Sequence, residues 1–107
     1  MMNERLKPIL AELRERLADH YGERLVKLVL YGSQARGDAE EDSDIDVLVV
    51  LRGSVNDSEE TLAMLDPIAA LCLEHSVVIQ WMFVSEDRYN HGKDSFMWNV
   101  RRDGVML

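Results

Sequence analysis

The stretch from Leu28 to Leu51, LVLYGSQARGDAEEDSDIDVLVVL, constrains the fold more than any other part of the chain. Leu28, Val29, Leu30 and Tyr31 form a short apolar run that stops at Gly32, the pattern of a buried strand ended by a turn. Gly32 has no Cβ, so the backbone can turn sharply there and lie close to a ligand. Ser33 adds a hydroxyl. Gln34, Ala35 and Arg36 continue as a short helical turn whose leading N–H groups suit a phosphate. A second strand, Ser43 to Leu51, then carries Asp44 and Asp46 near its start. Two positions apart in a strand, their carboxylates project from the same face. Paired carboxylates beside a phosphate-binding turn are what a divalent metal–nucleotide site needs.

In that second strand Ile45, Val47 and Val49 face one side, and Asp44, Asp46, Leu48 and Val50 the other. Apolar residues on both faces beyond Asp46 predict a sheet covered on both sides and open at the aspartate end. Upstream, Leu6, Ile9, Leu10, Leu13, Leu17 and Tyr21 recur at three- and four-residue steps, which predicts an amphipathic helix from about Lys7 to Tyr21. Pro8 fits only its first turn, and Gly22 is its stop. His20 lies in the last turn, where a positive side chain complements the helix dipole. The first strand runs from Leu25 to Tyr31. A second long helix is expected from Ser58 to His75, with Ser58 as N-cap and Leu62, Leu65, Ile68, Ala69 and Cys72 as its apolar pattern. Pro67 either kinks that helix or opens a fresh one capped by Asp66.

The third strand is expected at Val77 to Val84, rich in β-branched and aromatic residues. Ser85 caps a further helix that runs toward Arg101 and breaks near His91-Gly92; Val105 to Leu107 makes a short edge strand or a tail. These elements predict one α+β domain over residues 1–107. Its small mixed sheet has three or four strands, with helices packed mainly on one face.

Charge narrows the partners. With 20 acidic against 12 basic residues the net charge is −8, and only Arg101-Arg102 forms a basic pair. A nucleic-acid backbone is normally gripped by a basic patch, so no nucleic-acid partner is expected. A basic protein or a cationic small molecule suits this charge better. No apolar run approaches the ~20 residues that span a bilayer, so no membrane partner is expected. The opening MMNERLKPIL lacks a signal peptide's apolar core, so the expected location is cytoplasmic. The one cysteine, Cys72, cannot form an internal disulfide and reads as a small core residue.

Gly32-Ser33, ten intervening residues and Asp44-Ile45-Asp46 resemble the G-S-x10-D-x-D signature of the DNA polymerase β-like nucleotidyltransferase superfamily. With Ala35, Arg36, Gly37 and Ser43 also matching, the stretch is similar to the minimal nucleotidyltransferase (MNT) branch. The resemblance implies transfer of an NMP from an NTP with release of pyrophosphate. It assigns Asp44 and Asp46 as the catalytic metal ligands for Mg²⁺ or Mn²⁺. Gly32, Ser33 and Arg36 would bind the triphosphate of ATP or another NTP, with AMP the group expected to move. Active members usually add a third carboxylate from the neighbouring strand. Here that strand holds neither Asp nor Glu, and the matching position is read as Val78, with Gln80 the second choice.

MNT proteins of this kind are commonly paired with HEPN-domain toxins, for which they act as antitoxins. The implied function is therefore Mg-dependent adenylylation of a HEPN-type protein partner. Two alternatives are a catalytically impaired binding module that neutralises its partner by contact, and a homodimer that modifies a cationic small molecule, as aminoglycoside nucleotidyltransferases do. Trp81, Phe83, Phe96 and Trp98 are expected mainly in core packing.

Overall fold

The computed structural model describes residues 4–40 and 43–107. Residues 1–3, which open the segment read for a signal peptide, and 41–42, two of the ten that space Ser33 from Asp44, lie outside the described residues. The chain begins with α1 (Leu6–Tyr21), whose Leu6, Ile9, Leu10, Leu13, Leu17 and Tyr21 are all buried, as their spacing predicts. One turn of 3-10 helix, Gly22–Arg24, leads into β1 (Leu25–Tyr31). The short α2 (Gly32–Arg36) follows, then β2 (Ile45–Leu51), α3 (Asp57–His75) and β3 (Ile79–Ser85). The expected break near Gly92 separates α4 (Glu86–His91) from α5 (Ser95–Asp103), and β4 (Val105–Met106) closes the order as a short edge strand.

The sheet is mixed, with strand order β3-β2-β1-β4. β1 pairs antiparallel with β2 and with β4, whereas β2 and β3 run parallel, joined by the α3 crossover. Period-2 alternation divides the strands between two cores. Leu28, Leu30, Ile45, Val47, Val49, Leu51, Ile79 and Phe83 pack with α1 and α3. On the other face Val29, Leu48, Val50 and Val84 pack with Met97 and Val100 of α5. The two long helices thus share one face, and the short C-terminal helices cover the other. Leu13, Leu17, Leu28 and Leu48 are completely buried, each contributing about 2 kcal/mol relative to exposure.

Three details differ from the sequence expectations. The N-cap of α3 is Asn56, whose Oδ1 accepts from the Glu59 N–H at 3.2 Å, so Ser58 lies inside the first turn. Pro67 starts no fresh helix: α3 runs through it unbroken. The inward stripe of α3 is Met64, Ile68 and Leu71, while Leu62, Leu65 and Leu73 are exposed at 72%, 45% and 83%. Its apolar residues fall on two stripes at helical spacing, so periodicity cannot say which faces the sheet. Among the aromatic residues expected in the core, Phe83 is buried, Trp81 and Phe96 are half-buried, and Trp98 is exposed. The Trp98 ring is covered by the Arg102 guanidinium 4.7 Å from its centroid. Among the described residues no helix is long and apolar enough to cross a membrane.

Candidate functional site

Asp46 occupies the second rung of a central strand, between Tyr31 on β1 and Gln80 on β3. Asp44 immediately precedes β2, and the ladder holds it in place because the Ile45 N–H donates to the Val78 carbonyl at 2.9 Å. The turn out of β1 closes on these aspartates. Gly32 has φ +74°, and a Cβ placed on it would lie 2.5 Å from Asp46 Oδ2. Glycine is needed here twice, for the left-handed backbone and for the space the carboxylate fills.

Electrostatics single out Asp46. Its carboxyl is raised above the ordinary aspartate value, first by burial and then by the charge of Asp44, against the opposing pull of Arg36. No described Lys, Arg or His forms an ion pair with Asp44 or Asp46. Two neighbouring carboxylates with no direct ion pair among the described residues, Arg36 acting only from a distance, fit a hard divalent ion such as Mg²⁺ or Mn²⁺.

Ser43, just before Asp44, is held by a residue that the sequence reading treats only as part of a helical turn. Gln34 is 6% exposed, and its Nε2 donates to the Ser43 carbonyl at 3.2 Å. Ser43 Oγ accepts in turn from the Glu40 N–H at 2.9 Å. A buried amide needs such a partner, and this one ties α2 to the residue just ahead of Asp44. Ser33 is half-buried at the start of α2, with its carbonyl accepting from the Gly37 N–H. Arg36 lies at the rim, exposed, with its Nε 3.3 Å from Asp38 Oδ2. The structure therefore brings Gly32, Ser33, Asp44 and Asp46 to one end of the sheet, with Arg36 beside them.

Of Val78 and Gln80, Gln80 is the one whose side chain contacts the aspartates. Gln80 stands directly opposite Asp46, and its Nε2 lies 3.4 Å from Asp44 Oδ2. The side chain that β3 brings to the aspartate pair is therefore a carboxamide and not a carboxylate. Neither flanking glutamate replaces it. Glu74 belongs to a group with Glu12, His75 and Arg16, where Arg16 Nη2 reaches both carboxylates at 2.8 and 3.7 Å. Glu86 follows β3 at its opposite end.

Residues 10–89 match the family profile described as a nucleotidyltransferase domain. A Methanocaldococcus jannaschii protein, provisionally named protein adenylyltransferase MJ0604, is 36% identical over 107 residues, which covers 99% of each chain. Among solved structures, a chain from a toxin–antitoxin crystal structure with AMP-PNP superposes with a TM-score of 0.60 at 16% identity, covering 87% of this chain and 68% of that one. A provisionally named nucleotidyltransferase from Sulfolobus solfataricus gives a TM-score of 0.57 at 19% identity, covering 99% and 87%. Both structural likenesses are to the fold, and the sequence match spans the Gly-Ser turn and the aspartate strand together. The chain belongs to the nucleotidyltransferase domain family.

Proposed function

We propose that the protein is a Mg²⁺- or Mn²⁺-dependent adenylyltransferase that moves AMP from ATP to a hydroxyl of a protein partner in the cytoplasm, and that the partner is a HEPN-type toxin. The observation that carries this reading is the pairing of Asp44 and Asp46 at one end of the sheet, with the Gly32 backbone against the Asp46 carboxylate. In this reading Asp44 and Asp46 hold the metal, Gly32 and Ser33 hold the triphosphate, and Arg36 neutralises it. The bound metal supplies charge neutralisation at the phosphates and orientation of the triphosphate. The acceptor oxygen forms a bond to the α-phosphorus, the bond to the α,β-bridging oxygen breaks, pyrophosphate leaves, and the hydroxyl proton passes to solvent.

A protein acceptor is supported by the outer face of α3, where Leu62, Leu65 and Leu73 stand in solvent. Apolar side chains gathered on one helix face mark an interaction surface. Neither arginine of the basic pair is free for a phosphate backbone. Arg101 donates to the carbonyls of Tyr89 and Gly92 at 2.8 and 2.7 Å, and Arg102 bridges to Asp103 at 2.9 Å.

Gln80 favours a second reading. A neutral amide cannot take a proton from the acceptor, so the fold serves instead as a contact antitoxin that retains nucleotide binding. The experiment is equilibrium binding of Mg–ATP to wild type and Asp46→Ala, followed by incubation of the wild type, Asp44→Ala and Asp46→Ala with [α-³²P]ATP and a HEPN partner. Metal-dependent binding lost in Asp46→Ala, with label on the partner, establishes transfer. Binding without label, and neutralisation indifferent to both substitutions, establishes the contact reading. No binding in either of the two titrated proteins overturns the nucleotide site.

A further inference from the structure

Beside the Gly-Ser turn, on the sheet face that α5 covers, lies a cavity of about 230 Å³. Its lining includes Tyr31, Gly32, Arg36, Phe96, Asn99 and Asp103. We propose that this cavity takes the base of the nucleotide, with Tyr31 and Phe96 as its aromatic walls and Asn99 as the residue that reads the base edge. The proposal rests on the reading of Asp44 and Asp46 as a metal–nucleotide site, and it adds which part of the substrate α5 recognises.

Position and size point the same way. Gly32 lines the cavity and also touches the Asp46 carboxylate, so a ligand whose phosphates lie at the aspartates has its next group at the cavity mouth. Pockets that enclose whole small-molecule ligands run to roughly 300–1,000 Å³. A cavity below that range suits one planar fragment, with the charged remainder outside. Tyr31 and Phe96 cross edge to face with centroids 5.5 Å apart, so two aromatic side chains are already fixed against each other. Bases stack on such side chains whatever their sequence identity, which supplies affinity but not choice.

Choice comes from the polar residues. Asn99 is exposed on α5 and its side chain makes no hydrogen bond to another described residue, so its carboxamide has both a donor and an acceptor to offer. That pair matches the N6 amine and N7 of adenine. Asp103 accepts only, and Arg102 holds its two oxygens at 3.0 and 2.9 Å. A carboxylate at the cavity wall favours a base edge bearing an amino group and opposes one bearing a carbonyl. Adenine is therefore preferred over hypoxanthine and uracil.

The test is calorimetric titration of Mg–ATP, Mg–ITP, Mg–UTP and Mg–tripolyphosphate into wild type, Asn99→Ala and Phe96→Leu. Asn99 is exposed in a helix and alanine is a strong helix former, so that variant keeps the fold. Wild type should bind ATP about tenfold more tightly than ITP or UTP, as one two-point contact implies. Asn99→Ala should lose that preference, and Phe96→Leu should weaken all three nucleotides. Neither variant should change tripolyphosphate binding. Equal ATP and ITP affinity in wild type, or unchanged ATP binding in Asn99→Ala, overturns the base site. If tripolyphosphate still binds and Asp46→Ala abolishes that binding, the metal–phosphate reading stands without it. Absence of all binding overturns both.

Discussion

Gly32 and Asp46 form one unit: the carboxylate of Asp46 lies against the bare Cα of Gly32, where a Cβ would stand 2.5 Å from Asp46 Oδ2. The motif's first and last members are thus matched sterically as well as in sequence. Gly32→Ala strains the left-handed backbone, at a cost of about 1–2 kcal/mol, and pushes the carboxylate away. The expected result is a modest fall in the urea midpoint with complete loss of Mg–ATP binding. Calorimetry on the folded variant checks it, and binding near the wild-type value would show that Asp46 does not need its present position.

Gln80 reaches Asp44 from the neighbouring strand at 3.4 Å. Gln80→Glu places a third negative charge on the rung opposite Asp46. Without metal the variant should lose roughly 1 kcal/mol through like-charge repulsion. With millimolar Mg²⁺ the third oxygen ligand should give a larger rise in melting temperature than wild type shows. Thermal unfolding with and without Mg²⁺ measures both effects, and an equal rise in the two proteins would mean that Gln80 lies outside the metal site.

The motif was readable because its spacing fixes chemistry and its flanks fix geometry. Alternation in Ile45–Leu51 placed Leu48 and Val50 on one face and Val47 and Val49 on the other, and the two cores divide in that way. The orientation of α3 was not readable, because Leu62, Leu65, Ala69 and Leu73 form as good a stripe as Met64, Ile68 and Leu71. Only packing against the sheet decides between them. Gln34 carried a fainter signal: a polar residue next to the Gly-Ser turn looks like solvent surface until tertiary structure buries it. Phe96 and Asn99 lie more than sixty positions from Gly32, and no local pattern joins them to it.

Between α1 and α3, Glu12 meets His75 at 3.0 Å and Arg16 at 2.8 Å, with Glu74 on the far side of Arg16. Hydrogen bonds from His75 and then Arg16 hold the Glu12 carboxyl below its ordinary value of 4.5. A carboxyl depressed in the folded state stabilises fully above its unfolded value, and the contribution disappears as pH falls through the folded value. Glu12→Gln should therefore lower the urea midpoint at pH 7, and the gap to wild type should close as the pH is taken below about 4.5. Unfolding curves at several pH values check this. A gap that stays constant with pH would assign the loss to packing instead of charge.

Ser76 ends α3 at φ +53°, the one described non-glycine residue with positive φ. Its N–H donates to the Cys72 carbonyl, which also accepts from the Val77 N–H at 3.1 Å, so the left-handed turn is held by backbone bonds and not by the serine side chain. Glycine takes this conformation without the Cβ clash that serine meets. Ser76→Gly should stabilise the protein by about 1 kcal/mol, the cost of the left-handed state for an L-residue less the added freedom of the unfolded glycine. The site is remote from Asp44 and Asp46, so Mg–ATP affinity should not change. Chemical denaturation beside calorimetry separates the two effects, and a fall in stability would mean that the serine hydroxyl supports the turn after all.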